Sequence, residues 1–445
     1  MRRIKNPFLV GRPVPPERFI GRSDQLDTVL GRLDNSDSSL LVGAPQIGKS
    51  SFKRLLVESQ TAAPHLEPSE HWIFVDLDCH LLPSTHEISD VWRTVLQRVI
   101  PRLPAGTLRA RFERYDTGHF QPYVLNDLFT RLGRGGRQVV LVLDEFDSLL
   151  HLPKLATRDL FGPLRTIANN TEGLAVVAAS RVPLSELNAR TSAINGGSPF
   201  FNNHTDVHLP ALSLDEVDLL LDRGLDGTRV SFDLADRLFV ERAAGRHPYL
   251  VQAAAHALFA VAARGIGGPE RYTTAEEALR GSIASHFADL WRLLPAEQQL
   301  VATVLALAEV RGQAQGRDFD THDIADLDRF RPELDALTAR GLVELHEATP
   351  RWRWDPGSHA IWCGERWRIA ADAFGDWILR TVIAQSRDRV DFDAWLRSRE
   401  HDGLLTGEEK EQLRRLRDAV PTGVAEGLGG LVRGAVAGLL GKPTG

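Results

Sequence analysis

"LLVGAPQIGKSSF" (residues 40–52) decides how the chain is read. An apolar run, Leu40 to Val42, stops at Gly43. Gly48, Lys49 and Ser50 then complete the spacing G-x-x-x-x-G-K-[ST], and "SSFKRLLVES" continues as a helical pattern. A strand that feeds a helix through such a loop turns successive backbone N–H groups inward, toward the positive end of the helix. Phosphate oxygens bind there. In that geometry Gly43, Gln46, Ile47, Gly48, Lys49, Ser50 and Ser51 line a nucleotide site. Lys49 reaches the β and γ phosphates and Ser50 ligates magnesium, so the implied ligands are ATP or ADP with Mg2+.

A phosphate loop of this kind needs a second strand that ends in a carboxylate. "VVLVLDEFD" (139–147) supplies one: Asp144 holds magnesium through water and Glu145 polarises the attacking water. An acid directly after the magnesium carboxylate predicts the additional-strand arrangement, in which one strand lies between the loop strand and the Asp strand. "LAVVAAS" (174–180) is that strand, and Ser180 and Arg181 at its end stand where a γ-phosphate sensor belongs. With "SSLLVGA" (38–44), "HWIFVDLD" (71–78) and "TDVHLPAL" (205–212), five short apolar runs alternate with helix-sized segments. That pattern predicts an α/β fold, a five-stranded parallel sheet covered on both faces.

From 213 to about 290 helical periodicity takes over. From 291 helices lead into "RWRWDPGSHAIWCGERWRIA" (351–370), which alternates like a β-hairpin, and helices followed by a hairpin predict a winged helix. The expected plan is an ATPase core over 1–212, a helical lid over 213–290, a winged-helix module over 291–385 and a helical appendage over 386–421. The appendage contains the capping box Thr406-x-x-Glu409. Over 422–445 runs a glycine-rich amphipathic tail in which Gly430, Gly434 and Gly438 repeat every fourth residue. That spacing suits close helix pairing, while Glu426 and Arg433 oppose a lone spanning helix.

Taken in order, "NPFLVGRPVPPERFIGRSDQL" (6–26), the phosphate loop, "LVLDEFD", "AASR" and "AGRHPYLVQAAA" (244–255) resemble the STAND subgroup of AAA+-related P-loop ATPases. These are signal-transduction ATPases whose bacterial and archaeal members often carry a C-terminal winged helix. The resemblance covers about 6–385. It implies that Phe19, Ile20, Gly21 and Arg22 lie beside the adenine, that Gly245 and Pro248 of the lid pack on the nucleotide, and that Arg181 is the sensor. It further implies slow, conformationally gated hydrolysis: ADP holds a closed monomer, and ATP with a protein trigger opens it for self-association. Bacterial stress or immune signalling suits such a protein.

Replication-initiator ATPases share the plan of a P-loop core with a winged helix, there reading DNA. Charge argues against DNA as a partner here. Residues 318–347 hold nine acids against three bases, a face that repels phosphate, although Arg351, Arg353, Arg366 and Arg368 in the wing lie beside Trp352 and Trp354. The whole chain carries a formal charge of -6 over 445 residues, with 43% hydrophobic residues, which gives no global attraction to nucleic acid or anionic lipid. Cys79 and Cys363 have no metal or disulfide spacing, and the expectation is a cytoplasmic protein with membrane contact, if any, through the tail.

Overall fold

The computed structural model describes residues 5–58, 71–115, 120–182, 184–194, 196–197, 199–314, 327–346, 352–355, 360–363, 366–383, 389–396 and 403–419. The chain divides into two compact units, one of Pro13–Pro210 and one of Met1–Arg12 with Ala211–Gly445.

The first unit is built on five parallel strands, β1 (Ser38–Val42), β2 (Trp72–Asp78), β3 (Gln138–Asp144), β4 (Leu174–Ser180) and β5 (His204–His208), in the order β2-β3-β4-β1-β5. β4 thus separates the phosphate-loop strand β1 from the Asp strand β3. Every residue of β1, β3 and β4 is buried, because helices cover both faces of the sheet. The two-residue period of a strand sorts their side chains into two cores. Leu41, Phe74, Val140, Val142 and Val177 face Val29 and Leu33 of α1 (Ser23–Asp34) and Phe52 and Leu56 of α2 (Lys49–Val57).

Leu40, Val75, Leu141, Leu143 and Val176 face the opposite layer. That layer comprises α3 (Ile88–Val99), α4 (Thr107–Tyr115), α5 (Pro122–Arg134), the single turn α6 (Phe146–Leu149), α7 (Arg158–Asn170) and α8 (Leu184–Ile194). On α5 the buried residues Leu125, Leu128, Phe129 and Leu132 mark one helical stripe. This helix passes so close to the start of β4 that a Cβ on Gly173 would fall 1.8 Å from the Phe129 carbonyl oxygen. Glycine is required there by space. The buried Phe146 ring lies 4.8 Å from Phe201 and 5.8 Å from Phe200, which pins the chain directly after Glu145.

The second unit is largely helical. It contains α9 (Leu214–Leu225), α10 (Leu234–Ala244), α11 (Pro248–Ala262), α12 (Gly268–Leu293), α13 (Ala296–Ala314) and α14 (Arg331–Ala339). Ser213 opens α9 with a reciprocal capping box, its hydroxyl accepting the Glu216 N–H at 3.1 Å while Glu216 accepts the Ser213 N–H at 2.7 Å. Beyond α14 lie β6 (Val343–His346), β7 (Trp352–Asp355), β8 (Ala360–Cys363) and β9 (Arg366–Ile369), followed by α15 (Asp372–Ile378), α16 (Arg389–Leu396) and α17 (Gly407–Ala419).

The stretch read as one hairpin is divided: β7 pairs with β8, whereas β9 pairs antiparallel with β6. The apolar residues explain the choice, since Trp367 and Ile369 on β9 stand opposite Leu345 and Val343, and Trp367, Ile369 and Val343 are buried. The expected box at Thr406 is present, with Glu409 accepting the Thr406 N–H at 2.7 Å and also binding Arg329 at 2.9 Å. The tail over 422–445, the acids Asp318, Asp320, Asp323 and Asp326, Glu347 and Arg351 lie outside the described residues. Among the described residues no helix is long and apolar enough to cross a membrane.

Candidate nucleotide site

The C-terminal ends of β1, β3 and β4 bring the charged residues of the motifs together, the edge at which parallel sheets bind ligands. After β1 the chain turns sharply. The Ile47 N–H reaches the Ala44 carbonyl at 3.2 Å, and Gln46 and Gly48 both have positive φ, 59° and 103°. The φ of Gly48 calls for glycine, and a Cβ there would also lie 2.7 Å from Nη1 of Arg22, whose guanidinium would have to shift. Lys49 begins α2 and folds back over the loop, its Nζ donating to the carbonyls of Gly43 at 2.7 Å and Ala44 at 3.0 Å. Burial lowers its ammonium to about 8, against the pull of Glu145, Asp147 and Asp144. Ser50 follows on the first turn of α2, and the Ser51 hydroxyl accepts the Val14 N–H at 3.1 Å.

On the acidic side, Asp144 ends β3 with its side chain 6% exposed. Its Oδ1 accepts the Glu145 N–H at 3.0 Å, and its Oδ2 lies 2.9 Å from Nζ of Lys53, which also reaches Asp76 at 3.1 Å. Burial alone would lower the Lys53 ammonium, but the hydrogen bond and charge of Asp144, with Asp76 behind, hold it above its ordinary value. Glu145 takes a left-handed conformation, φ 52°, and caps α6 with its side chain turned partly to solvent. Arg181 donates to the buried Asp147 through Nε at 2.8 Å and Nη2 at 2.5 Å, and Nη2 lies 3.7 Å from Oε2 of Glu145. Ser180 meets Asp147 at 3.4 Å.

Asp144 and Ser50 offer hard oxygen donors suited to magnesium, which keeps waters and phosphate oxygens and needs no cage of protein ligands. No cluster of three or more His, Cys, Asp or Glu forms a metal cage among the described residues.

The "FIGR" box runs into the loop. The Phe19 ring packs 6.0 Å from Phe52, Ile20 is buried, and Gly21 and Arg22 are successive left-handed residues with φ 73° and 63°. Arg22 is buried and its Nη2 donates to the carbonyls of Ile47 and, at 3.1 Å, Pro210, so it clamps the loop to the chain leaving β5. Gly245 and Pro248 belong to the other unit. Pro248 opens α11, and Gly245, φ 56°, faces the Ala370 carbonyl, 2.7 Å from where a Cβ would stand. Arg190 is paired with Glu186 on α8.

Sequence reading missed Lys53, Asp76 and Asp147. Two signals were available: Lys53 lies four residues after Lys49, on the same helical face, and Asp147 closes "DEFD" three residues after Asp144.

Arg22→Ala removes the donor shared by the buried Ile47 carbonyl and the partly exposed Pro210 carbonyl and leaves a void beside Gly48. A loss of about 2–4 kcal/mol is expected in urea unfolding, with Arg22→Lys recovering only part because an ammonium lacks the fork. A loss below about 0.5 kcal/mol, the level of an ordinary surface change, would remove the clamp from the account.

Over residues 13–399 the chain matches the family described as novel STAND NTPase 1. Among solved structures it is similar to a Walker-type ATPase of Pyrococcus abyssi, with 14% identity, 84% of this chain and 99% of that chain covered, and a TM-score of 0.50. The ORC2 protein of Aeropyrum pernix, solved in ADPNP-ADP complexes, gives 16% identity, coverage of 86% and 99%, and a TM-score of 0.47. The ORC1 protein of the same organism, solved in complex with DNA, gives 16% identity, coverage of 82% and 94%, and a TM-score of 0.38. No curated protein matches. The Pyrococcus likeness carries the fold alone, a P-loop NTPase core joined to helical segments. By its match over most of its length, the chain belongs to the novel STAND NTPase 1 family.

Proposed function

We propose that the chain is an ATP-binding and slowly hydrolysing molecular switch in which the ADP/ATP difference controls self-association and the exposure of its C-terminal part. The observation that carries the reading is the convergence of Lys49, Asp144, Glu145 and Arg181 at one edge of the sheet. The loop N–H groups and Lys49 bind the phosphates, Lys49 leaving the Gly43 and Ala44 carbonyls to do so. Ser50, and Asp144 through water, would hold magnesium, which supplies charge shielding on the phosphates. Glu145 orients water and takes its proton. The Arg181 guanidinium stands 3.7 Å from the Glu145 carboxylate. Arg181, held by Asp147, senses the γ-phosphate.

The division into core 1–212, lid 213–290 and winged helix 291–385 belongs to the same proposal. In it Gly245 and Pro248 carry the lid to the nucleotide, and Phe19, Ile20, Gly21 and Arg22 border the adenine. A protein trigger and an output in bacterial stress or immune signalling complete the proposal. Glu145→Gln keeps the shape and loses the base. Turnover should fall about 100-fold or more while ATP stays bound, and mass photometry should find this variant assembled with ATP. The parent should be monomeric with ADP and assembled with a non-hydrolysable ATP analogue. Parental turnover in Glu145→Gln would remove Glu145 from the mechanism, and equal masses with both nucleotides would remove the switch.

We infer that DNA is not the output. The acidic balance over 318–347 supports this, as does Arg368, which is engaged by Glu344 across the β6–β9 pair. Affinity for duplex DNA at physiological salt should be no better than about 10⁻⁴–10⁻⁶ M. Tight, sequence-dependent binding in a mobility-shift assay would favour the initiator-like alternative.

A further inference from the structure

Lys53 has no part in the phosphate-loop motif. It stands one helical turn beyond Lys49 on α2, and its ammonium lies between two carboxylates of adjacent strands, 2.9 Å from Asp144 at the end of β3 and 3.1 Å from Asp76, two residues before the end of β2. The group is only 13% exposed and Asp144 only 6%, so bulk water and salt screen the pair weakly. The other Asp144 oxygen already accepts the Glu145 N–H at 3.0 Å. Both oxygens of this carboxylate are therefore engaged before any cation arrives. A divalent cation approaching Asp144 meets the ammonium's repulsion and must share the carboxylate with it.

We propose that Lys53 is a resident counter-ion that withholds Asp144 from divalent cations until nucleotide phosphates arrive. This rests on the reading of Asp144 as the magnesium carboxylate. Without nucleotide, two carboxylates and one ammonium leave a single net negative charge, too little to draw in a hydrated cation. With nucleotide, the phosphates add the missing negative charge and ligands, and Asp76 remains as a partner for Lys53. Metal binding is thereby made conditional on nucleotide. If Lys53 is made neutral, Asp76 and Asp144 lose the ammonium between them and attract a divalent cation more strongly.

Mn2+, counted by electron paramagnetic resonance, is a direct probe on the full-length protein. Without nucleotide, Lys53→Met should bind Mn2+ about tenfold tighter than the parent, as expected for removing one like charge from a weakly screened site. Lys53→Arg should stay at the parental affinity, and Asp144→Asn in the Lys53→Met background should cancel the gain. In thermal unfolding Lys53→Met should be less stable than the parent in chelator and recover on addition of Mn2+, a response that simple damage to packing would not give. Equal nucleotide-free Mn2+ affinities for parent and Lys53→Met, with both binding Mn2+ once ADP is added, would overturn the counter-ion role and leave the nucleotide site standing. A parent that binds no Mn2+ even with ADP would overturn both.

Discussion

The structure depends on one buried charge. Lys49 holds its ammonium against the carbonyls of Gly43 and Ala44, in a loop whose turn requires left-handed backbone at Gln46 and Gly48. An ammonium removed from water is costly unless it is hydrogen-bonded, and here its partners are backbone dipoles supplied by the loop itself. The loop keeps its shape because the lysine holds it from within and Arg22 holds it from outside, through Ile47 and Pro210. Phosphate offers Lys49 a better partner than two carbonyls. Binding can therefore draw the lysine off the loop without leaving a charge stranded.

The acidic half of the site is positioned by hydrophobic burial. β3 is apolar from Val139 to Leu143, and Phe146 packs among Phe161, Phe200 and Phe201, so Glu145 is caught between a buried strand and a buried ring. Its left-handed backbone is the consequence, since the chain must turn within one residue. Asp147, one residue beyond Phe146, is buried and satisfied by Arg181 and Ser180, which ties the end of β4 to the end of β3. Charge balance then links the halves. Lys49 and Lys53 on one helical face answer Asp144 and Asp76 on the neighbouring strands and Glu145 and Asp147 just beyond β3, so a change at any one of them alters what the others carry.

Much of the sheet was legible because a strand buried on both faces is a short, largely apolar run, as in β3 and β4, whereas β5, His-Thr-Asp-Val-His, is polar and only partly buried and was marked by the apolar residues around Val207. The place of β4 between β1 and β3 was legible from a different feature, the acid that directly follows Asp144. The phosphate loop was legible from spacing, since its chemistry is backbone chemistry and its glycines and lysine sit at fixed intervals. Lys53, Asp76 and Asp147 escaped notice because their partners, Asp144, Lys53 and Arg181, lie 91, 23 and 34 residues away in sequence and are brought together only by the fold. The pairing of β9 with β6 escaped for a like reason. Alternation marks a strand and leaves its neighbour open, and that choice was made by Val343 opposite Ile369 and Leu345 opposite Trp367.

The account is tested most directly by the pH dependence of ATP affinity, measured by calorimetry for the parent and Lys49→Ala. In the nucleotide-free fold burial lowers Lys49 from 10.5 to about 8. The cost of burying its charge is thus fully present below about 8 and fades as pH rises toward the unfolded value. Phosphate needs the charged form and raises its pKa again, so parental affinity should be flat up to about pH 8. Above that it should weaken by up to about tenfold per pH unit, while Lys49→Ala binds no detectable ATP. Parental affinity unchanged from pH 7 to about 9.5, or ATP binding by Lys49→Ala as tight as that of the parent, would contradict the claim that this buried ammonium governs the site.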